Sequence, residues 1–176
     1  RSTDGGETWE PTQFIFSDTP GTTDGMNLGA SVYDSQTGTV FVHFGVCGHA
    51  CQPNGSTFVL ASDDHGVTWR KPMDISATVV AAGWSMINAG PGTGVQVDMD
   101  AVKSRLVVAV WGRRLQSKSV EGGVAALISD DHGASWQLSS PQLATPTTGP
   151  NECQLAQLAN GSLLMNIRDA MSSRGY

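Results

Sequence analysis

Residues 62–69 read SDDHGVTW, residues 129–136 read SDDHGASW, and residues 2–9 read STDGGETW. The same eight positions recur 60 and then 67 residues apart. Each copy has the chemistry of a tight turn. The Asp at the third position can accept hydrogen bonds from backbone N–H groups of its own turn. The Gly at the fifth tolerates positive φ, and the Trp at the eighth offers a large apolar face. The positions concerned are Ser2, Asp4, Gly6 and Trp9; Ser62, Asp64, Gly66 and Trp69; and Ser129, Asp131, Gly133 and Trp136. Carboxylates repeated in every unit usually build the unit, so these twelve residues are read as structural. Trp69 and Trp136 are expected to be buried, and Trp9 to be looser.

Between the copies lie further strand pairs. LGASVYDSQTGTVFVHFGV (28–46) and GVQVDMDAVKSRLVVAVWG (94–112) each read as two strands around a polar turn. CQLAQLANGSLLMNIRD (153–169) reads as two strands around Asn160-Gly161, a strong hairpin signal. Each of the later two copied turns sits in a hairpin of its own. Hairpin followed by hairpin gives four antiparallel strands per unit, and a repeat of this kind is a propeller blade. The expected architecture is an all-β propeller fragment of roughly three blades' worth of chain. It divides into a partial blade at 1–23, blades at 24–76 and 90–142, and a half blade at 150–176. No helix longer than a turn or two is expected.

Composition agrees with this class. Of 176 residues, 21 are glycine and 15% are charged, which suits turn-rich β structure better than long helices. The formal net charge of −6 argues against a nucleic-acid partner. No run of 18 apolar residues occurs, so no transmembrane helix is expected. The chain opens inside a copied turn at Arg1, so its natural start, with any targeting signal, is expected to lie upstream.

The repeated octet matches the Asp box, Ser-x-Asp-x-Gly-x-Thr-Trp. Asp boxes also occur in propellers that are not enzymes. Three further segments sharpen the match to the sialidase family. GPGTGVQ (90–96) resembles a Gly-Pro-Gly segment of animal sialidases, and NECQLAQLANGSLLMNIRD (151–169) resembles their Glu-Cys-Gln strand followed by an arginine. DGMNLGASVYDSQTGTVFVHFGVCGHACQ (24–52) looks most like the lysosomal type. The resemblance implies a six-bladed propeller that removes terminal sialic acid from glycoproteins, oligosaccharides and gangliosides with retention of configuration. It implies no cofactor, and a lysosomal or other secretory-pathway or membrane-associated location. The sialic acid carboxylate would repel a carboxylate nucleophile, so the family uses a tyrosine activated by a glutamate, with three arginines gripping the substrate carboxylate.

By this resemblance Glu152 is the glutamate and Arg168 the second of the three arginines. Met26 and Asn27 occupy positions that line the sugar pocket, and Trp111 stands where related enzymes place a tyrosine. The nucleophile, the other two arginines and an acid aspartate are expected outside the chain. The isolated 176 residues are therefore expected to be inactive. The competing reading is a non-catalytic Asp-box propeller that binds peptides or glycans.

Strand arithmetic addresses the same residues independently. If Ala159-Asn160-Gly161 is a three-residue loop, Leu158 pairs with Ser162 and Glu152 falls opposite Arg168 on one face. A two-residue loop would separate their faces. Either a catalytic pair or a surface cross-strand pair satisfies this spacing. The same construction sets Met26-Asn27 opposite Cys47–His49, and Gly94 opposite Trp111-Gly112. Trp111 is read either as pocket wall or as packing between blades, and Arg113-Arg114 as a solvated strand end.

Cys47, His49 and Cys51 fall short of a four-ligand zinc site, so no metal is expected. A local Cys47–Cys51 disulfide is compatible with an oxidising lumen. Cys153 alternates away from Glu152 and reads as a small buried apolar residue. Asn54-Gly-Ser and Asn160-Gly-Ser are glycosylation sequons on expected loops.

Overall fold

The computed structural model describes residues 1–17, 25–46, 55–98, 104–116, 119–143 and 149–169. The first sheet is an antiparallel meander of β1 (Met26–Asp34), β2 (Thr39–Val46), β3 (Ser56–Ser62) and β4 (Met73–Asp74). A six-residue helix, α1 (Ser76–Ala81), leads to β5 (Trp84–Ala89). There follow β6 (Gly92–Thr93), β7 (Val95–Asp98), β8 (Ser104–Gln116), β9 (Ser119–Ser129), β10 (Gln137–Leu138) and β11 (Gln142–Leu143). The last described elements, β12 (Pro150–Gln157) and β13 (Leu163–Asp169), form a hairpin.

The second sheet is centred on β8 and β9. Two separate strands share one edge of β8: β5 pairs with its residues 110–114, and β7 with its residues 104–107. Between them β6 leaves the sheet and makes a short parallel bridge to β1, Ala30 to Gly92 and Ser31 to Thr93. The expected start of this unit at residue 90 therefore misses a strand. WSMINA mixes apolar residues with Ser85 and Asn88 and carries no turn signal of its own, yet all six of its residues are buried.

Two apolar layers flank β8. Leu106, Val108 and Val110 belong to a core shared with Ala30, Val32 and Phe41 of the first sheet. Val107 and Ala109 turn the other way and pack with Cys153 and Leu155 of β12. Alternate residues point to opposite faces, and both faces of β8 are covered. Its sequence accordingly reads LVVAV rather than alternating apolar and polar.

The three copied turns form nearly one network. In each, the Ser hydroxyl donates to the Asp carboxylate (2.6, 2.9 and 2.8 Å) and accepts the Gly N–H (2.9, 2.8 and 2.8 Å). The Asp also accepts both the N–H and the hydroxyl of Thr8, Thr68 or Ser135. The residue after Trp9 and Trp69 closes the turn onto the residue before its Ser: Glu10 N–H to Arg1 O, and Arg70 N–H to Ala61 O, both 2.8 Å. The hydroxyl and N–H of Thr68 hold the Asp64 carboxyl down at about 2.

The tryptophans differ from one another. Trp136 is buried, packed edge-on against Phe41 and His43 of β2. Trp69 is only half-buried, which corrects the expectation for that residue; it lines an open cleft with Trp9, Pro11 and Ile15. Trp9 is 73% exposed. A box tryptophan is buried when a sheet earlier in the chain stands against it, and among the described residues this holds for Trp136 alone.

Candidate active site

Glu152 and Arg168 meet at the open end of the β12–β13 hairpin, where Arg168 Nη1 donates to Glu152 Oε2 at 2.6 Å. The loop sets this register. Leu158 N–H bonds to Ser162 O (2.8 Å), Gly161 N–H to Leu158 O (2.9 Å), and Ser162 N–H to the Asn160 side chain (3.0 Å). Gly161 takes φ +84°, which an L side chain adopts at a cost. The three-residue loop is thus present, and pairs run from Gln157–Leu163 to Cys153–Ile167.

Beyond Cys153 the ladder breaks. The next pair is Pro150 with Asp169, so Asn151 and Glu152 together oppose Arg168 alone. This is a β-bulge, two residues against one, and such bulges re-aim side chains. The Glu152 N–H is satisfied within the bulge by Asn151 Oδ1 at 2.8 Å. Gly149 N–H bonds to the Asp169 carboxylate at 2.8 Å and ties the hairpin mouth.

The side chain of Arg168 is 63% exposed and that of Glu152 30%. An exposed ion pair adds only about 0–1 kcal/mol to stability, so fold stability gives little reason for the pair. Chemically, the site offers one carboxylate able to take a proton and a guanidinium whose fork suits another carboxylate.

The opposite face of the hairpin is anchored. Cys153 and Leu155 are buried against Val107, Ala109 and Val124, with Met165 and Ile167 beside them. Burial pushes the Cys153 thiol up to about 12, and Cys153 is packing, as its alternation with Glu152 indicated.

The other expected site residues are placed as follows. Met26 pairs with Val46 and Asn27 with Gly45, not with 47–49; the register then slips between Asn27 and Gly29. Met26 is 46% exposed at the start of β1. Trp111 pairs with Asn88, and Gly112 with Ile87, so Gly94 is not their partner. The error comes from leaving 84–89 without a strand: β5 takes the edge of β8 beside Trp111, and β7 pairs lower, with residues 104–107. Trp111 packs against the layer between β8 and the β12–β13 hairpin, with its indole Nε1 buried. Arg114 reaches Gly83 O at 3.5 Å, and Arg113 is exposed. Asn160 stands on the exposed hairpin tip. Cys47, His49, Cys51 and Asn54 lie outside the described residues.

Three features had no sequence signal. Asp34, read only as a turn residue, is fully buried and contacts His132, 98 residues later, at 2.8 Å. His43 and Asn88 are fully buried polar side chains between the first two sheets. Gly45 leaves room for Asn88, whose Oδ1 lies 2.6 Å from where a Cβ of residue 45 would stand.

Comparison with known proteins agrees with this architecture. Residues 1–176 match the family described as BNR repeat-like domain, and the chain belongs to that family. Human sialidase-4 is 30% identical over 166 residues, covering 81% of this chain and 33% of the human protein. The sialidase of Micromonospora viridifaciens is 28% identical over 191 residues, covering 100% of this chain and 28% of the bacterial protein. Among solved structures, Hadza microbial sialidase Hz136 matches with a TM-score of 0.78 at 28% identity, over 96% of this chain and 35% of that one. The chain is thus related to sialidases and spans about a third of the length of the curated relatives named here. Among the described residues no helix is long and apolar enough to cross a membrane.

Proposed function

We propose, from that family membership and the geometry of the hairpin mouth, that this chain is part of a retaining exo-α-sialidase and carries one section of its active site. The observation that carries the reading is the Glu152–Arg168 contact. A base and a carboxylate-binding cation stand together on a bulge, in a chain whose relatives are sialidases.

In this reading the Arg168 fork holds the carboxylate of sialic acid together with two arginines from outside the chain. Glu152 takes the phenolic proton of a tyrosine, also outside the chain, as that oxygen attacks the anomeric carbon and the aglycone departs with a proton from an acid aspartate outside the chain. A phenol of pKa about 10 is a poor nucleophile near neutrality without such a base. Water then releases the sugar from the tyrosine, and the two displacements retain configuration. Met26 and Asn27, at the start of β1, belong to the pocket wall. The propeller of six four-stranded blades is part of the same proposal. So are glycoprotein, oligosaccharide and ganglioside substrates and a lysosomal or secretory-pathway setting; these last rest on the resemblance of residues 24–52.

The test is hydrolysis of a fluorogenic α-sialoside by the protein that carries this chain, with the product anomer followed by proton NMR. Release of the α-anomer first is expected. Absence of turnover in folded protein, with retained glycan binding, would leave the non-catalytic propeller as the better reading.

A further inference from the structure

Glu152 sits in the one part of the hairpin that the hairpin itself does not fix. Asn151 and Glu152 are bulged out of the β12–β13 ladder, and the backbone on their C-terminal side is tied elsewhere. The Cys153 N–H donates to Gly90 O, in the connection between β5 and β6, at 3.3 Å. One residue further on, the Gln154 side chain lies over Gly92. A Cβ on Gly92 would stand 2.9 Å from Gln154 Cδ and 3.1 Å from its Cγ and Nε2. Gly92 also has φ +137°, where L side chains are strained.

This connection is itself held by two other strands. Gly90 N–H donates to Ala109 O of β8 at 3.0 Å, and Gly94 N–H to Ser31 O of β1 at 2.6 Å. Gly92 and Thr93 pair with Ala30 and Ser31. Residues 90–94 therefore form a junction where β1, β8 and β12 meet; a Cβ at 90 would stand 2.7 Å from the Gly92 backbone N, and one at 92 would have to displace the exposed Gln154 side chain.

We propose that this glycine junction is a positioning element for the Glu152 carboxylate. It acts through the Gly90–Cys153 hydrogen bond and through the Gln154 side chain seated on Gly92. The proposal rests on Glu152 being the base. Gln154 is a positioning residue: its bulk over Gly92 sets the strand on which the base is carried. Its amide has no chemical part in the reaction.

The experiment uses the full protein that carries this chain and compares Gln154→Ala, Gln154→Met and Gly92→Ala with Glu152→Gln. Steady-state kinetics are read with thermal melting. Emptying the space over Gly92 lets the bulge relax, and a displacement on the order of 1 Å at a reacting group can cost about 100-fold. Gln154→Ala is expected to lower kcat at least about tenfold, with KM within about twofold and a nearly unchanged Tm. Gln154→Met, which refills the volume without an amide, is expected to restore most of kcat. Gly92→Ala is expected to lose both kcat and Tm. Wild-type kcat in Gln154→Ala, alongside a Glu152→Gln variant that has lost turnover, overturns the positioning role and leaves the base assignment standing. Failure of Gln154→Met to restore kcat also overturns it, because the amide would then be the active feature. Normal kcat in Glu152→Gln overturns the base assignment and this proposal with it.

Discussion

The Nδ1 atom of His132 lies 2.8 Å from Oδ2 of Asp34 and joins the third Asp box to the first turn of the first sheet. Asp34 is fully buried and also accepts from Gln36 N–H (3.0 Å) and the Thr37 hydroxyl (2.9 Å). Gln96 of β7 reaches the same carboxylate at 3.5 Å, while its Oε1 accepts Ser35 N–H at 2.7 Å. Three chain segments far apart in sequence thus converge on one carboxylate. Burial by itself would raise the Asp34 pKa, but the bonds from His132, Thr37 and Gln36 outweigh it and hold the carboxyl below its ordinary value.

That direction fixes a pH dependence. The folded pKa is depressed, so the stabilisation from Asp34 is fully present above its unfolded pKa of about 3.9. It is lost as pH falls through the folded value. Asp34→Ala is expected to destabilise by roughly 1.5–3 kcal/mol at pH 7, the range for hydrogen bonds to a charged group. Its penalty should shrink below about pH 4. Urea melts at pH 7 and pH 3.5 measure both; an equal penalty at the two pH values would mean the carboxylate charge is not what joins the sheets.

His43 acts in a different window. It is fully buried, edge-on to Trp136 with ring centroids 4.3 Å apart, and neither ring nitrogen has a well-formed partner. Burial lowers its pKa from 6.5 to about 4 and outweighs the opposing effect of the nearby Ala30 backbone. The unfolded chain therefore binds a proton between those values that the folded chain does not. Stability falls with decreasing pH across the interval, by at most about 1.4 kcal/mol per unit. His43→Phe is expected to give a flatter stability profile between pH 6.5 and 4.5, measured by chemical denaturation. A parallel profile in the variant would contradict the buried neutral imidazole.

The box glycines separate backbone strain from packing. Gly66 and Gly133 have φ +83° and +79°, so alanine is strained at both. Around Gly66 the nearest atom to a new Cβ is Trp69 Cζ2 at 3.7 Å, whereas at Gly133 the Phe41 ring stands 2.3 Å away. Gly133→Ala should cost about 1–3 kcal/mol more than Gly66→Ala, the usual scale for overpacking a core. Equal melting-point losses would show that Phe41 moves aside freely.

Much of this structure is legible in the chain, for identifiable reasons. The boxes are local: every bond in the Ser–Asp–Gly network spans four residues or fewer, so eight letters carry it. The β12–β13 register is local too, because Asn160-Gly161 fixes a loop and the loop fixes the pairing. The bulge at Asn151-Glu152 is not, since the strand next to it is tied through Cys153 to Gly90, far earlier in the chain, in the β5–β6 connection. The extra strand β5 on the edge of β8 escapes the sequence too, because the parallel bridge of Gly92-Thr93 to β1 separates it from β7. The Asp34–His132 contact joins residues whose local roles are already complete as turn formers, so nothing in either turn announces the other.

The Glu152–Arg168 pair makes the most direct functional prediction, because the two residues should fail in different ways. Glu152→Gln keeps the size of the side chain and removes the base. With the phenolic proton left without an acceptor, kcat should fall by about 10²–10⁴. Substrate binding rests on the arginines, so KM should change little. Arg168→Lys keeps the charge and loses the planar fork. An ammonium cannot give two parallel bonds to the sugar carboxylate, and losing one charge-assisted bond of about 1.5–3 kcal/mol should raise KM roughly tenfold or more, with a smaller effect on kcat. Because the pair is exposed at the hairpin mouth, both variants should keep the parent melting temperature to within a few degrees. Kinetics and melting on the full protein decide the matter. A folded Glu152→Gln variant with near-normal kcat would make the contact a surface cross-strand pair and nothing more.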